Sequence, residues 1–287
     1  MSDTLDMDHL RGWIGRTETA SERVTADLVR RFRATFDEEP GDPQDGEAAP
    51  QLLHWCLAQP VALTKALGPD GHPARGGFLP PVPLPRRMWA GGSLTFHDDI
   101  MVGDTARRLS RITDLTVKEG STGTLCFVTV EHTFDVAGRA ILTERQDIVY
   151  RALDGGSAPA KAPPTKAPPA APEGVHRQEV APSAPFLFRY SALTFNGHRI
   201  HYDQPYVTQV EGYPGLVVHG PLQATLLARY AAEIHGAPPR AFKFRGLSPV
   251  FDTEPLFLNA EPDGDKLKLW TARAGGRPGA LPGTREE

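Results

Sequence analysis

GPLQATLLARYAAEIHG, residues 220–236, decides the fold. Leu222, Leu226, Leu227 and Tyr230 fall on one face at helical spacing, Pro221 suits a first turn, and Gly236 ends the run. Three β-like runs follow: RAFKFRGLSPVF (240–251), PLFLNAEP (255–262) and KLKLWTAR (266–273). A shorter helical piece, PFLFRYSALTF (185–195), and a polar loop, NGHRIHYDQPY (196–206), come before. One strongly apolar helix among antiparallel strands is an α+β layout.

Further upstream the composition breaks. Asp154–Gly174 reads DGGSAPAKAPPTKAPPAAPEG, with six prolines, six alanines and no large apolar side chain to offset the entropy of ordering it. It reads as an extended linker. That places one domain at 1–153, a linker at 154–174 and a second domain at 175–287. The first domain shows a helical stretch with Ser21 as N-cap and Val24, Leu28, Phe32 and Phe36 every four residues. A Gly- and Pro-rich segment runs from Glu39 to Gly92, and strand-like runs extend from Ser93 to Leu153. FRATFDEEP (32–40) resembles FRYSALTFNGHR (188–199), and MVGDT (101–105) stands before a strand as PVFDT (249–253) does. Together with the shared element order, these matches point to a duplicated unit.

Composition limits the function. The chain has 287 residues, 40 % apolar and 23 % charged, with a formal charge of −4, which gives no footprint for nucleic acid. Two cysteines, Cys56 and Cys126, make neither a disulfide framework nor a four-ligand zinc site. No run reaches the length of a membrane span, and MSDTLDMDHL lacks the look of a leader peptide, so a cytoplasmic protein is expected. With no GxGxxG after a strand, no P-loop and no cysteine cluster, neither a cofactor nor a metal is expected.

The loop before the long helix holds the chemistry. Asn196, His198 and His201 lie within six residues, and His219 and Gly220 stand at the helix head. Imidazoles pass protons near neutral pH. A glycine at a helix N-terminus lets a carbonyl approach free backbone N–H groups, with the helix dipole behind them. Taken singly, each feature also has a plain reading: hydrogen-bonded surface histidines, or a glycine chosen for packing.

Taken together, these residues resemble the MaoC-like, (R)-specific hydratase/dehydratase family. Its signature is Asp-x-Asn-Pro-x-His followed by a glycine at the central helix. The matching positions here are Asn196, His198, Arg199, His201 and Gly220. Asn196 stands where that family has its carboxylate, and an amide takes no proton at neutral pH. TFNGHRIHYD (194–203), LGPDGHPARGGFLPPVPLPRRMWAGG (67–92) and VKEGSTGTLCFVTVEH (117–132) resemble a subgroup with two hot-dog units, the first degenerate. That subgroup includes mesaconyl-C4-CoA and itaconyl-CoA hydratases and the type 2 3-hydroxyacyl-thioester dehydratases. The likeness spans most of residues 10–275.

The resemblance implies a double hot-dog fold with one active site per chain, acting on an acyl-CoA or acyl-carrier-protein thioester, in a possible homo-oligomer. His201 would take a proton from water, and His198 or the protonated group would return one to the α-carbon. Asn196 would hold the water and Gly220 the thioester oxygen, with His219 beside it. Trp89, Gly91 and Gly92 would line the acyl tunnel and Arg245 would meet the CoA phosphates. Arg86, Arg87 and Arg189 are the candidates for an acyl carboxylate. A fatty-acid-type dehydratase is one alternative; a hot-dog thioesterase using Asp203 or Glu211 is another, and a non-catalytic acyl-binding protein is a third.

Overall fold

The computed structural model describes residues 5–120, 123–151, 173–273 and 278–286. Of the expected linker, residues 154–172 lie outside them. The first half contains α1 (Met7–Arg11), β1 (Thr17–Arg23), α2 (Ala26–Thr35), β2 (Arg86–Phe96), β3 (Thr105–Gly120), β4 (Gly123–Val136) and β5 (Arg139–Arg151). The second contains β6 (His176–Val180), α3 (Ala184–Leu193), α4 (Gln204–Gln209), α5 (Gly220–His235), β7 (Ala241–Arg245), β8 (Leu256–Asp263), β9 (Lys266–Arg273) and β10 (Pro278–Glu286).

The strands form one antiparallel sheet in the order β1-β3-β4-β5-β2-β7-β10-β9-β8-β6. The order in the first half, 1-3-4-5-2, returns in reverse as 7-10-9-8-6. The duplication read from the short matches is therefore a duplicated hot-dog, joined edge to edge where β2 pairs β7 from Gly91↔Arg245 to Thr95↔Ala241. Local details repeat as well. Thr35 and Thr194 each turn a hydroxyl back to the carbonyl four residues earlier, on Arg31 and Tyr190. The Val102 carbonyl accepts from Gly46 N–H as that of Val250 accepts from Val218 N–H.

Helix α5 is the core of the second half. Gly236, at φ +72°, closes it in the left-handed conformation that glycine adopts without strain. The buried set is wider than the predicted stripe: Leu226 is half-buried, while Ala224, Ala228, Ala231, Gln223 and Thr225 join Leu222, Leu227 and Tyr230 inside. A helix wrapped by a sheet has little polar face to spare. Buried Gln223 is satisfied by the Thr271 hydroxyl and the Val218 carbonyl. The corresponding stretch of the first half carries only two short 3-10 turns, Leu53–Cys56 and Thr64–Ala66. Ser21 is no helix cap; it lies in β1 opposite Arg107, and Thr25 caps α2 by accepting from Leu28 N–H. Among the described residues no helix is long and apolar enough to cross a membrane.

Gly91 and Gly92 have a structural reason at the seam between the halves. A Cβ on Gly91 would lie 2.6 Å from the Phe244 carbonyl oxygen, and one on Gly92 would lie 2.5 Å from that of Arg145. The glycines therefore let β2 fit between β5 and β7, beside a bulge at Trp89/Gly91. Gly91→Ala should cost about 1–3 kcal/mol through this backbone clash, read as a lower urea midpoint. An unchanged midpoint would mean that the seam tolerates a side chain.

Candidate active site

Two tripeptides of the same form, Asp70-Gly71-His72 and Asn196-Gly197-His198, build the site. In each, the Asx side-chain oxygen accepts from the histidine backbone N–H at 3.0 Å, folding a tight turn. The turns meet through their glycines. A Cβ on Gly71, which sits at φ +88°, would fall 2.0 Å from the Gly197 carbonyl oxygen, and one on Gly197 would fall 2.9 Å from that of Gly71. Arg199 strengthens the joint, donating from its backbone N–H to the Asp70 carbonyl (2.9 Å) and from Nη1 to the Pro69 carbonyl (3.0 Å). A loop of the first half is thereby locked to the histidine loop of the second.

Four imidazoles converge there. The rings of His72 and His198 are 4.1 Å apart, His198 meets His201 edge-on at 5.4 Å, and His201 stacks on His219 at 3.6 Å. The Nδ1–H of His201 donates to the Val217 carbonyl at 2.6 Å, which leaves its Nε2 as an acceptor. His219 Nε2 bonds the Ser191 hydroxyl at 2.8 Å. The carboxylate of Asp70 accepts from His72 Nδ1–H at 3.0 Å.

Burial keeps these rings neutral. It pushes His201 from its ordinary 6.5 down to about 4, against the upward pull of its bond to Val217. His219 falls well below the usual range through burial and through His201 and His198. His198 is lowered by burial and by His72 and His201, with Asp70 pulling the other way. Burial lowers His72 as well, and Arg87 and Arg75 add to it against the bond to Asp70. For Asp70, burial would raise the carboxyl, but His72 and His198 hold it well below the carboxylate range. A neutral imidazole beside a charged carboxylate is ready to accept a proton.

The structure places the other expected residues unequally. Gly220 opens α5 two residues after Val218, and apart from its chain neighbours and its own helix no protein atom lies within 4 Å of where its Cβ would be, so there is open space beside the first turn of the helix. The amide oxygen of Asn196 accepts from the His198 backbone N–H and so shapes the His198 turn. Trp89 sits at the seam against Trp55 and Phe244, its indole N–H on the Gly91 carbonyl. Gly91 and Gly92 answer to strand packing, as described above. Arg245 is exposed on β7, alternating with buried Phe242 and Phe244. Asp203 caps α4 and pairs with Arg199, and Glu211 pairs with Arg86 and Tyr206, which leaves neither poised as a nucleophile. Asp70 and His72 were missed; the signal was the second Asx-Gly-His.

Asp70, His72 and His198 also offer ligand atoms within 4.8 Å of one another, a donor set that can hold a divalent cation. Here, however, the Asp70 oxygens are already engaged by the two N–H groups of His72.

A duplicated hot-dog with a histidine loop facing the N-terminus of its central helix defines the MaoC-like dehydratase class of folds. Solved structures agree. A MaoC-like dehydratase superposes with a TM-score of 0.70 at 16 % identity, covering 96 % of this chain and 98 % of that one. A Mycobacterium tuberculosis protein described as having a double hotdog fold gives 0.54 at 15 %, covering 95 % of each. The family model for hydroxyacyl-thioester dehydratase type 2 matches residues 51–252, and the chain belongs to that family. It is 44 % identical over 261 residues to mesaconyl-C(4)-CoA hydratase of Chloroflexus aurantiacus, covering 90 % of each chain. Over 101 residues it is 38 % identical to the mitochondrial hydroxyacyl-thioester dehydratase type 2 of Schizosaccharomyces pombe, about a third of each chain.

The buried cluster ties stability to pH. Histidines with folded pKa values below 6.5 bind fewer protons than in the unfolded chain. Their contribution is whole above the unfolded value and is lost as pH falls from 6.5 towards about 4. For His201 alone this amounts to about 3 kcal/mol. Urea midpoints should drop across that window and drop less in His201→Gln. A parent midpoint that stays flat there would contradict the burial of the cluster.

Proposed function

We propose that the protein adds water across the α,β double bond of an enoyl-CoA thioester, or removes it in the reverse direction. The observation that carries this reading is the set of neutral loop imidazoles beside the open first turn of α5 at Gly220. The thioester oxygen lies at the helix N-terminus, where backbone N–H groups and the dipole stabilise it as it becomes enolate-like. Nε2 of His201 accepts a hydrogen bond from the attacking water. His198 or His201 takes the proton as the water oxygen bonds the β-carbon, and the proton then goes to the α-carbon.

The similarity to mesaconyl-C(4)-CoA hydratase over nine-tenths of both chains supports a C5 dicarboxylic acyl group. Of the three arginines considered for its free carboxylate, Arg86 is paired with Glu211 and Arg189 is exposed. Arg87 is half-buried, and its charge acts on both His72 and His198, so it is the best placed of the three. The match to the type 2 dehydratase model supports the second reading, dehydration of a fatty-acid-type 3-hydroxyacyl thioester. We extend the same proposal to a first unit over 1–153 and a catalytic unit over 175–287.

The test is loss of enoyl absorbance with mesaconyl-C4-CoA, itaconyl-CoA, crotonyl-CoA and a long-chain enoyl-CoA, alongside thiol release from saturated acyl-CoA. Hydration should be fastest with a C5 substrate, and His201→Ala should lower it by at least ~10²-fold. Thiol release without hydration would establish a thioesterase instead. A folded His201→Ala protein hydrating at the parent rate would remove His201 from the chemistry.

A further inference from the structure

A buried imidazole that accepts a proton needs a counter-charge close by. Asn196, in the same loop, is an amide and supplies none. Among the described residues, the hydrogen bonds of the four clustered histidines reach a carboxylate only at His72, which donates to Asp70. Both residues come from the first half, whose own loop at Asp37–Glu39 carries no histidine.

We propose that Asp70 and His72 are positioning residues of a proton relay that ends on His198, which makes His198 the base of the reaction and Asp70 its buried counter-charge. The inference rests on the hydratase reading above and assigns the base that it leaves open. A carboxylate only accepts, so the hydrogen of His72 sits on Nδ1 and its Nε2 is an acceptor. That ring lies 4.1 Å from the ring of His198, and ligand nitrogens of both, with a carboxylate oxygen of Asp70, fall within 4.8 Å of one another. Two hydrogen bonds through one water span about that distance. The register of the two rings is fixed by the Gly71–Gly197 contact and by the paired Asx turns.

In the relay, one nitrogen of His198 takes a proton from water as the water oxygen bonds the β-carbon and the π electrons move to the thioester enolate. The hydrogen on its other nitrogen passes to His72 Nε2, and the His72 imidazolium pairs with the Asp70 carboxylate. The second half-reaction reverses both transfers: His72 returns its proton, and His198 gives one to the α-carbon as the enolate collapses. One water is consumed and the protein ends in its starting protonation state. His201, tied to Val217, orients the same water.

The charged and titratable groups around the relay set the sign of its pH dependence. His198 faces His72, His201, Asp70 and Arg87; His72 faces Asp70, Arg87 and Arg75; His219 lies behind His201. Asp70 is the one negative charge among them and favours the protonated base. Removing it weakens the base and moves the acid limb of the kcat profile to lower pH.

Asp70→Asn should therefore lower kcat for the enoyl-CoA that the parent hydrates best by at least ~10-fold, with KM within about twofold of the parent and the acid limb shifted down by about one unit. His72→Gln, which keeps a hydrogen-bonding amide but takes no proton, should show the same loss of kcat at unchanged KM, and it carries the comparison should Asp70→Asn fail to fold. A folded Asp70→Asn or His72→Gln protein with parent kcat and parent acid limb would overturn the relay and leave the hydratase reading standing. A parent that hydrates no enoyl-CoA would overturn both.

Discussion

The contact between Gly71 and Gly197 is the constraint on which the site depends. A side chain on either residue would collide with the carbonyl oxygen of the other, so only glycine lets the two turns close on each other. Once they do, the Asx oxygens of Asp70 and Asn196 and the bonds from Arg199 leave the two loops little freedom to shift. His72 and His198 face one another because the backbone beneath them interlocks. The first half, though it lacks the long helix, contributes a carboxylate and an imidazole to the site.

The sheet makes that meeting possible. Pairing of β2 with β7 turns two five-stranded units into one continuous surface, and the Gly91–Gly92 pair removes the side chains that would keep β2 out of the seam. The second half keeps α5, whose first turn lies beside the open space at Gly220. Where the first half would carry its own helix, it has two short 3-10 turns and an extended segment from which the Asp70–His72 turn reaches across.

Much of this was legible in the residues. Helix α5 announced itself through Pro221, Gly236 and a leucine stripe, and the loop histidines stood out by density. Short-range patterns carry such information. What escaped was long-range. Nothing near Gly91 says that the Phe244 carbonyl will lie where a Cβ would be, so its part in strand packing was not legible. Ser21 looked like a cap because serine, aspartate and threonine are all good ones, and Thr25 took the place four residues later. Asp70 and His72 were overlooked because they lie in a Pro-rich stretch with no periodicity, 126 positions from their partners (70 to 196, 72 to 198), though the recurrence of Asx-Gly-His was in plain view.

In the proposed mechanism one active site is assembled from both halves across the glycine contact. The most direct measurement is the rate of enoyl-CoA hydration by Gly71→Ala, whose added methyl group is aimed at the Gly197 carbonyl. The account predicts a protein with parent-like far-UV circular dichroism and a kcat lowered by at least ~10²-fold, since small displacements of a positioned group cost that much. A Gly71→Ala protein that hydrates at the parent rate would contradict it.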